Sequence, residues 1–356
     1  MIITGLSLTN FRSYTDSAFE FDTGVNIIVG PNASGKTNLL EAILLSCSGK
    51  SYRAKDIDLI QYDQPWTRIE ADTDEGKRVL TVEQISTQEL TSKKKFKIGG
   101  VEFKRLSLQK SIPVVLFEPE HLRLLSGGPE RRRDYLDNLL EQTTPGYPKL
   151  RRDYKRTLAQ RNALLKISSG ELDTTMFAWN IRLSELGGKI TKFRNDLVDE
   201  LNKSIQEIYR DISETKSTIT IKYVADHGLD SYSSKMHDKL ERNLEADRQK
   251  GFTSTGPHRH DFSVSLNDHT AAVTASRGEV RSILLSLKMI ELRLLENSTG
   301  KIPLLLLDDV FSELDGSRRK ALTSQIAKYQ TFITTTDADI VVDNFMDNCR
   351  VIPLGS

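Results

Sequence analysis

The chain has 356 residues and a formal net charge of +1, with 38% hydrophobic and 28% charged residues. This composition is typical of a soluble globular protein with two domains, or one large domain carrying an insertion. No apolar run is long enough to span a bilayer, and the N-terminus lacks a basic-then-apolar signal. With only Cys47 and Cys349, the chain has neither a thiolate metal site nor a disulfide framework, so the reducing cytoplasm is the predicted compartment.

The first 30 residues alternate as strands separated by a polar turn. Ile3, Leu6 and Leu8 indicate the first strand, and Phe19 and Phe21 the second. The turn between them contains Arg12. This residue is either a nucleotide contact or a solvated loop arginine.

Residues 30–37 match the phosphate-binding pattern G-x-x-x-x-G-K-[ST] at every fixed position. The β-branched run Val25–Val29 precedes them and a helical apolar pattern follows, as a phosphate loop requires. Backbone N–H groups and the helix N-terminus would hold phosphate oxygens. Lys36 would reach the β- and γ-phosphates of ATP, and the Thr37 hydroxyl would ligate magnesium. The predicted nucleotide-binding residues are Gly30, Pro31, Asn32, Ala33, Ser34, Gly35, Lys36, Thr37 and Asn38, with Arg12 as a further candidate.

Residues 51–118 are predicted to be rich in β-strands, at Ile69–Asp72, Arg78–Glu83 and Phe96–Ile98. A group of lysines occupies one hairpin edge. Such an edge either prevents pairing with other strands or contacts a DNA backbone. The lysines considered for DNA binding are Lys93, Lys94 and Lys95.

Residues 119–254 are predicted to form a helical lobe. Apolar residues repeat at helical spacing from Trp179 to Ile212, which predicts one long helix, bent at the glycine pair 187–188. The polar stretch 168–175 is the predicted turn between two antiparallel helices. Between Pro119 and Ile167, Lys and Arg outnumber Asp and Glu by eleven to six. This excess is either a solvated helix face or a DNA-binding surface, with candidates Arg151, Arg152, Lys155 and Arg156.

The last hundred residues return to an α/β pattern. The apolar strand Ile302–Leu307 ends in Asp308 and Asp309, which are expected to hold magnesium and to orient the attacking water, respectively. The helix 317–329 and the strand 331–333 follow. Because nucleotide sites lie beyond the carboxyl ends of such strands, the phosphate-loop strand and the Asp308 strand are expected to be neighbours in one sheet.

Two further motifs have more than one interpretation. In the segment 274–279, Ser276 and Glu279 have the spacing of a capping box, and the same helix start could bind phosphate. The segment 258–260 reads His-Arg-His, which could suggest a metal site, although no further ligand cluster supports it. The alternative for this segment is a structural or DNA-proximal loop.

The combination of these motifs resembles ABC/SMC-type ATPase heads, because the loop 30–37, the signature Ser276-Arg277-Gly278-Glu279 and Asp308-Asp309 followed by 312–315 occur together. The segments 10–12, 117–120, 127–133 and 255–259 are similar to the RecF family of bacterial recombination mediators. The resemblance implies an α/β fold: a P-loop ABC/SMC-type ATPase head, split in sequence, with an inserted helical lobe containing a short antiparallel helical arm. The head would comprise residues 1–118 and 255–356, and the helical insertion residues 119–254.

What the resemblance implies about function is an ATP- and magnesium-dependent homodimer, in which the signature of one subunit contacts the nucleotide of the other. Such a dimer would bind double-stranded and gapped DNA, hydrolyse ATP slowly, and act with RecR and RecO to load recombinase at gaps and stalled forks. It would be a cytoplasmic, nucleoid-associated protein without a membrane role. One alternative is the energising subunit of a membrane transporter, and a second is a small-molecule phosphotransferase that uses the same P-loop.

Three departures from a general ABC head concern the site. The second acid is Asp309 where transporters use Glu, no histidine follows the strand near Thr334–Asp337, and no glutamine occurs near Phe117–Glu120.

Overall fold

A computed structural model describes residues 1–86, 91–167, 173–311, 314–337, 345 and 349–355. The chain divides into two compact units. The first comprises residues 1–121, 211–213 and those from 281 onward, and the second comprises residues 122–210 and 214–280. The predicted turn at 168–175 lies largely outside the described residues, as does part of the motif at 312–315.

The first unit contains two sheets. One is antiparallel, with the strand order β2-β1-β4-β5-β6-β7. Its strands are β1 (Ile3–Phe11), β2 (Tyr14–Glu20), β4 (Trp66–Thr73), β5 (Gly76–Ser86), β6 (Thr91–Ile98) and β7 (Val101–Phe103). The other is parallel, with the order β14-β3-β13-β12-β8. Its strands are β3 (Val25–Val29), β8 (Val114–Phe117), β12 (Leu304–Asp308), β13 (Thr331–Thr335) and β14 (Cys349–Pro353).

The helix α1 (Lys36–Ser48) shares one hydrophobic core with both sheets of this unit. Leu39, Leu40 and Ile43 are completely buried together with residues of β1 and β12. Ten of its 13 residues are buried, polar ones included, as expected for an element covered by two layers. It begins after Gly35, whose φ of 99° is a left-handed conformation that favours glycine. The unit is completed by α9 (Gly316–Ile326) and most of α8 (Arg277–Thr299).

The second unit is mainly helical but also contains a small antiparallel sheet in the order β11-β10-β9. Its helices are α2 (Pro129–Thr143), α3 (Tyr147–Leu164), most of α4 (Asp173–Ser213), α5 (Tyr232–Arg242), α6 (Leu244–Lys250) and α7 (Ala271–Thr274). Its strands are β9 (Ile219–Val224), β10 (Asp261–Leu266) and β11 (His269–Thr270).

The long helix predicted from the apolar repeat is α4, and it buries the repeat. The glycine pair does not interrupt the helix, because α4 continues through Gly187 and Gly188. The glycines instead allow α5 to pack closely. A Cβ atom at Gly187 would lie 2.6 Å from the sulfur of Met236, and one at Gly188 would lie 1.9 Å from the Ser233 hydroxyl oxygen.

The predicted domain boundary at residue 254 differs from the boundary of the compact units. The sequence predicts that residues 255–280 belong to the head, but they lie in the second unit. The reason is strand pairing, because β10 pairs along its whole length with β9, which the sequence pattern did not separate from the helices around it.

Candidate functional site

The phosphate loop connects β3 to α1, as the sequence predicts. Its backbone is closely packed at Gly30, where a Cβ atom would lie 2.6 Å from the carbonyl oxygen of Leu354. The Lys36 ammonium group donates hydrogen bonds to two carbonyl oxygens of the loop, those of Gly30 at 2.7 Å and Pro31 at 2.9 Å. Among the described residues, the buried Ser34 hydroxyl has no hydrogen-bond partner. The loop thus offers a buried polar group and an ammonium group at the place where phosphates would bind.

Asp308 is brought to the start of α1 at the carboxyl end of its strand. Its Oδ1 accepts hydrogen bonds from the hydroxyl groups of Thr37 at 3.1 Å and Thr334 at 2.7 Å. Burial raises the pKa of Asp308, although these two hydrogen bonds oppose the shift. The backbone N–H of Asp309 donates to the Thr334 hydroxyl at 2.9 Å, and φ of Asp309 is 53°. Thr334 therefore joins the two predicted acidic residues.

The order of the strands corrects one prediction. β3 and β12 belong to the same parallel sheet, but they are not neighbours, because β13 lies between them. This position places Thr334 directly beside Asp308 in the parallel register. The strand end that lacks a histidine therefore contributes a hydroxyl group to the site.

Oxygen atoms of Thr37 and Asp308 are hard ligands of the type that magnesium prefers. A P-loop magnesium ion takes most of its other ligands from phosphates and water, so two protein oxygens are sufficient. The described part of the chain contains no cluster of three or more His, Cys, Asp or Glu residues that could hold a metal by itself. The donor set fits a nucleotide-bound magnesium ion.

Glu118 is a candidate that the sequence analysis missed. β8 pairs with β12 so that Phe117 lies opposite Leu307, and the next residue of each strand is acidic. Burial, followed by the charge of Asp308, raises the pKa of Glu118 to about 7. The Glu118 carboxylate therefore lies in the segment Phe117–Glu120, which contains no glutamine. A charged residue directly after a buried strand was the available signal.

Arg12 and Arg53 both pair with the buried Glu41 of α1. Arg12 forms a bidentate pair, with distances of 3.0 and 3.1 Å, and Arg53 donates to the same carboxylate at 3.0 Å. Burial raises the pKa of Glu41, but the hydrogen bonds from the two arginines outweigh it and the net pKa is lowered. Arg53 also donates to Asn38 at 2.6 Å. Arg53, which the sequence analysis did not predict, therefore lies beside the predicted nucleotide-binding residues Arg12 and Asn38.

The predicted capping box at the start of α8 is confirmed. The backbone N–H of Ser276 donates to Glu279 Oε2 at 2.7 Å, and the N–H of Glu279 donates to the Ser276 hydroxyl at 3.3 Å. Ser276 and Arg277 are exposed, and Gly278 is partly exposed. The start of α8 is therefore exposed, and its capping box uses the N–H groups of Ser276 and Glu279.

The candidate DNA-binding residues separate into exposed and internal groups. Arg151 is internal, because its side chain is 14% exposed and pairs with Asp134, Asp137 and Glu141. Lys94 likewise donates to Asp56 and to a backbone carbonyl. The residues that remain on the surface or partly exposed are Arg152, Lys155, Arg156, Lys93 and Lys95.

The segment 258–260 is held by hydrogen bonds, as the structural-loop interpretation predicted. His258 contacts the Tyr154 hydroxyl at 2.7 Å, and His260 contacts the Asp226 carboxylate at 2.7 Å. Burial lowers the pKa of His258 to about 4. Arg259 between them is exposed.

Comparison with known proteins places the fold and site in a family. The model described as RecF/RecN/SMC N terminal domain matches residues 2–352, which defines the class as SMC-type heads. The head of an Smc protein, solved with the C-terminal winged-helix domain of ScpA, has the same fold, with a TM-score of 0.54 and 15% identity over 97% of this chain and 92% of that one.

Two relatives identify the family within this class. The DNA replication and repair protein RecF of Halalkalibacterium halodurans is 37% identical over 95% of this chain and 94% of the relative. The structure of the recombination mediator RecF with ATP, from the RecFOR pathway, has a TM-score of 0.84 and 30% identity over 99% of this chain and 95% of that one. The chain belongs to the RecF family. A search of its described helices finds none that is long and apolar enough to cross a membrane.

Proposed function

We propose that this protein is an ATP-dependent, DNA-binding recombination mediator that dimerises on ATP. The observation that carries this proposal is the contact of 3.1 Å between the Thr37 hydroxyl and the Asp308 carboxylate. It joins the phosphate loop to an acidic strand end 271 residues further along the chain. The RecF relative solved with ATP supports ATP as the nucleotide.

The residues of the site have separate roles in this proposal. Lys36 exchanges its carbonyl partners for phosphate oxygens and compensates their charge. Thr37 and Asp308 would hold magnesium, which would supply charge neutralisation at the β- and γ-phosphates. Asp309 orients the attacking water and accepts its proton. Thr334 fixes both acids, and the aspartate's short side chain accords with slow hydrolysis.

The second subunit enters through the exposed start of α8. Ser276, Arg277 and Gly278 lie at a helix N-terminus, where N–H groups and the helix dipole favour an anion. In a homodimer, this signature from one copy would contact the γ-phosphate bound by the other copy. ATP would thereby hold the dimer together, and hydrolysis would release it.

DNA binding is proposed for the basic residues that are exposed, together with the partly exposed Lys95. Arg152, Lys155 and Arg156 occupy the outer side of α3, and Lys93 and Lys95 share one side of β6. Contacts of this kind bind the phosphate backbone without regard to sequence and weaken with salt. We further propose that the protein acts in the cytoplasm, associated with the nucleoid, on duplex and gapped DNA. It would help load recombinase together with RecR- and RecO-type partners.

Sedimentation with and without ATP, repeated with duplex DNA, tests it. We expect a monomer–dimer shift that requires ATP and magnesium and that DNA strengthens. Lys36→Met should abolish both the shift and the ATP-dependent retention of DNA. The proposal would be contradicted if, in the presence of ATP, Lys36→Met retained as much DNA as the unmodified protein does.

A further inference from the structure

Two stretches of the second unit, residues 154–167 and 248–260, contain no Asp or Glu. They are far apart in sequence, but the fold brings them together. The backbone N–H and the hydroxyl of Thr253 donate to Asn162 Oδ1 at 2.9 and 2.7 Å. The structure therefore assembles a surface from two segments that contribute cations and no carboxylates.

This surface includes an exposed aromatic residue covered by an arginine. The guanidinium carbon of Arg259 lies 4.9 Å from the ring centroid of Phe252, which remains 42% exposed. The Lys166 side chain reaches the same turn, because a Cβ atom at Gly251 would lie 3.8 Å from its Cε. Lys166, Lys250 and Arg259 are all exposed. We call Lys166, Lys250, Phe252 and Arg259 the aromatic–basic patch.

The loop that carries the patch is fixed from beneath. Arg194 donates to the carbonyl oxygen of Pro257 at 2.6 Å, and the N–H of Gly256 donates to Asp226 at 3.0 Å. The Arg259 guanidinium itself donates to the carbonyl oxygen of Thr253 at 3.3 Å. A ligand that binds a preformed loop loses little free energy in ordering it.

We propose that the aromatic–basic patch binds unpaired DNA, with a base stacked on Phe252 and backbone phosphates on Arg259, Lys166 and Lys250. The nearby carboxylates are already paired: the buried Asp247 with Arg161, and Glu245 with Arg248, both within 2.9 Å. The patch itself contains three cations and no carboxylate, which favours a polyanion. The exposed ring favours a single strand, because bases in a duplex are already stacked on one another, whereas an unpaired base presents a free face. The inference rests on the proposed DNA-binding function and extends it, since such a patch distinguishes a gap from intact duplex.

The test measures fluorescence anisotropy of fluorescein-labelled oligo(dT) and of a hairpin duplex with the same number of phosphates, with ATP and magnesium present. Phe252→Ala should lose about 5- to 150-fold in affinity for oligo(dT), the range measured for base–aromatic stacking. Its affinity for the duplex should not change. Arg259→Gln should weaken oligo(dT) binding and reduce the salt dependence by about one phosphate contact.

Two controls separate stacking from damage to the fold. Phe177→Ala removes a similarly exposed phenylalanine of the same unit, on α4, and should leave both affinities unchanged. Phe252→Trp should retain oligo(dT) binding, and its added indole fluorescence should be quenched by oligo(dT).

The outcomes are distinguishable. The inference would be overturned if Phe252→Ala bound oligo(dT) as tightly as the unmodified protein does, or if it lost affinity for oligo(dT) and duplex equally. Either result would leave the proposed function intact. Displacement of oligo(dT) by polyglutamate as effectively as by unlabelled oligo(dT) would assign the patch to acidic protein segments instead. Failure of the unmodified protein to bind any DNA would remove both proposals.

Discussion

Thr334 is completely buried at the end of β13, and its hydroxyl serves both acids of the site. It donates to Asp308 Oδ1 at 2.7 Å and accepts from the N–H of Asp309 at 2.9 Å. The substitution Thr334→Val keeps the volume and branching of the side chain but removes both hydrogen bonds. It therefore tests whether this hydroxyl replaces the histidine that is absent from the strand end.

The expected magnitude follows from the charge of the acceptor. A hydrogen bond to a charged group contributes about 1.5–3 kcal/mol, so its removal should slow ATP hydrolysis by up to about 10- to 150-fold if the bond acts in the transition state and not in the bound ground state. The pH dependence has a defined sign. The Thr334 hydrogen bond lowers the pKa of Asp308 against the raising effect of burial. Without it, the pKa of Asp308 rises further, the carboxylate protonates at a higher pH, and the acid limb of the activity profile moves toward neutrality.

The assay is single-turnover ATP hydrolysis across the acid range, together with equilibrium binding of a fluorescent ATP analogue. Nucleotide binding should change much less than hydrolysis, since Lys36 and the phosphate loop are intact. Thr331→Val is the matched control, because its buried hydroxyl on the same strand donates only to the carbonyl oxygen of Tyr329 at 3.0 Å. An unaltered hydrolysis rate and acid limb in Thr334→Val would refute this account of the site.

Three other predictions concern the dimer, the DNA surface and the stability of the second unit. Lys36→Ala and Ser276→Arg should each be inactive alone, yet mixed dimers should recover part of the ATPase activity, and no recovery in proven mixed dimers would exclude a shared site. Arg151→Glu should lower the melting temperature, because it breaks internal ion pairs. A triple variant that changes Arg152, Lys155 and Arg156 to Glu should keep the melting temperature of the unmodified protein but lose duplex binding, and changing the salt concentration should not restore that binding. Because burial lowers the pKa of His258 to about 4 from 6.5, the unfolded chain binds its proton first, so up to about 3 kcal/mol of stability should be lost as pH falls from 6.5 to 4. Chemical denaturation of His258→Gln should show a shallower loss over that range, and an identical slope would contradict the prediction.

The local elements of the fold could be predicted from the sequence because their signals are local. The phosphate loop is a contiguous pattern between a β-branched run and an apolar helix, and both elements are present at the expected positions. The strands at 69–72, 78–83 and 96–98 are confirmed within β4, β5 and β6, and the apolar repeat of α4 is buried as expected. The capping box at Ser276 depends on residues three apart, and it too is formed.

The charged candidates show the limit of local patterns. Arg151 and Arg152 are adjacent in a basic run, and the run itself does not reveal which one faces inward. Helical geometry turns the two side chains about 100° apart, and three carboxylates around Arg151 make it an internal residue. Lys93 and Lys94 differ in the same way because neighbouring residues of a strand point to opposite faces.

The sequence by itself determined the phosphate loop, the acidic strand end and the helix-start signature, since each is a short pattern whose chemistry depends on neighbouring residues. The tertiary structure decided how they are combined. It placed β13 between β3 and β12, set Glu118 beside Asp308, and brought Arg53 to Glu41. It also joined the two carboxylate-free segments at Thr253 and Asn162. These contacts depend on strand order and long-range packing, in which residues far apart in the chain become neighbours because burying their shared apolar surfaces stabilises the fold.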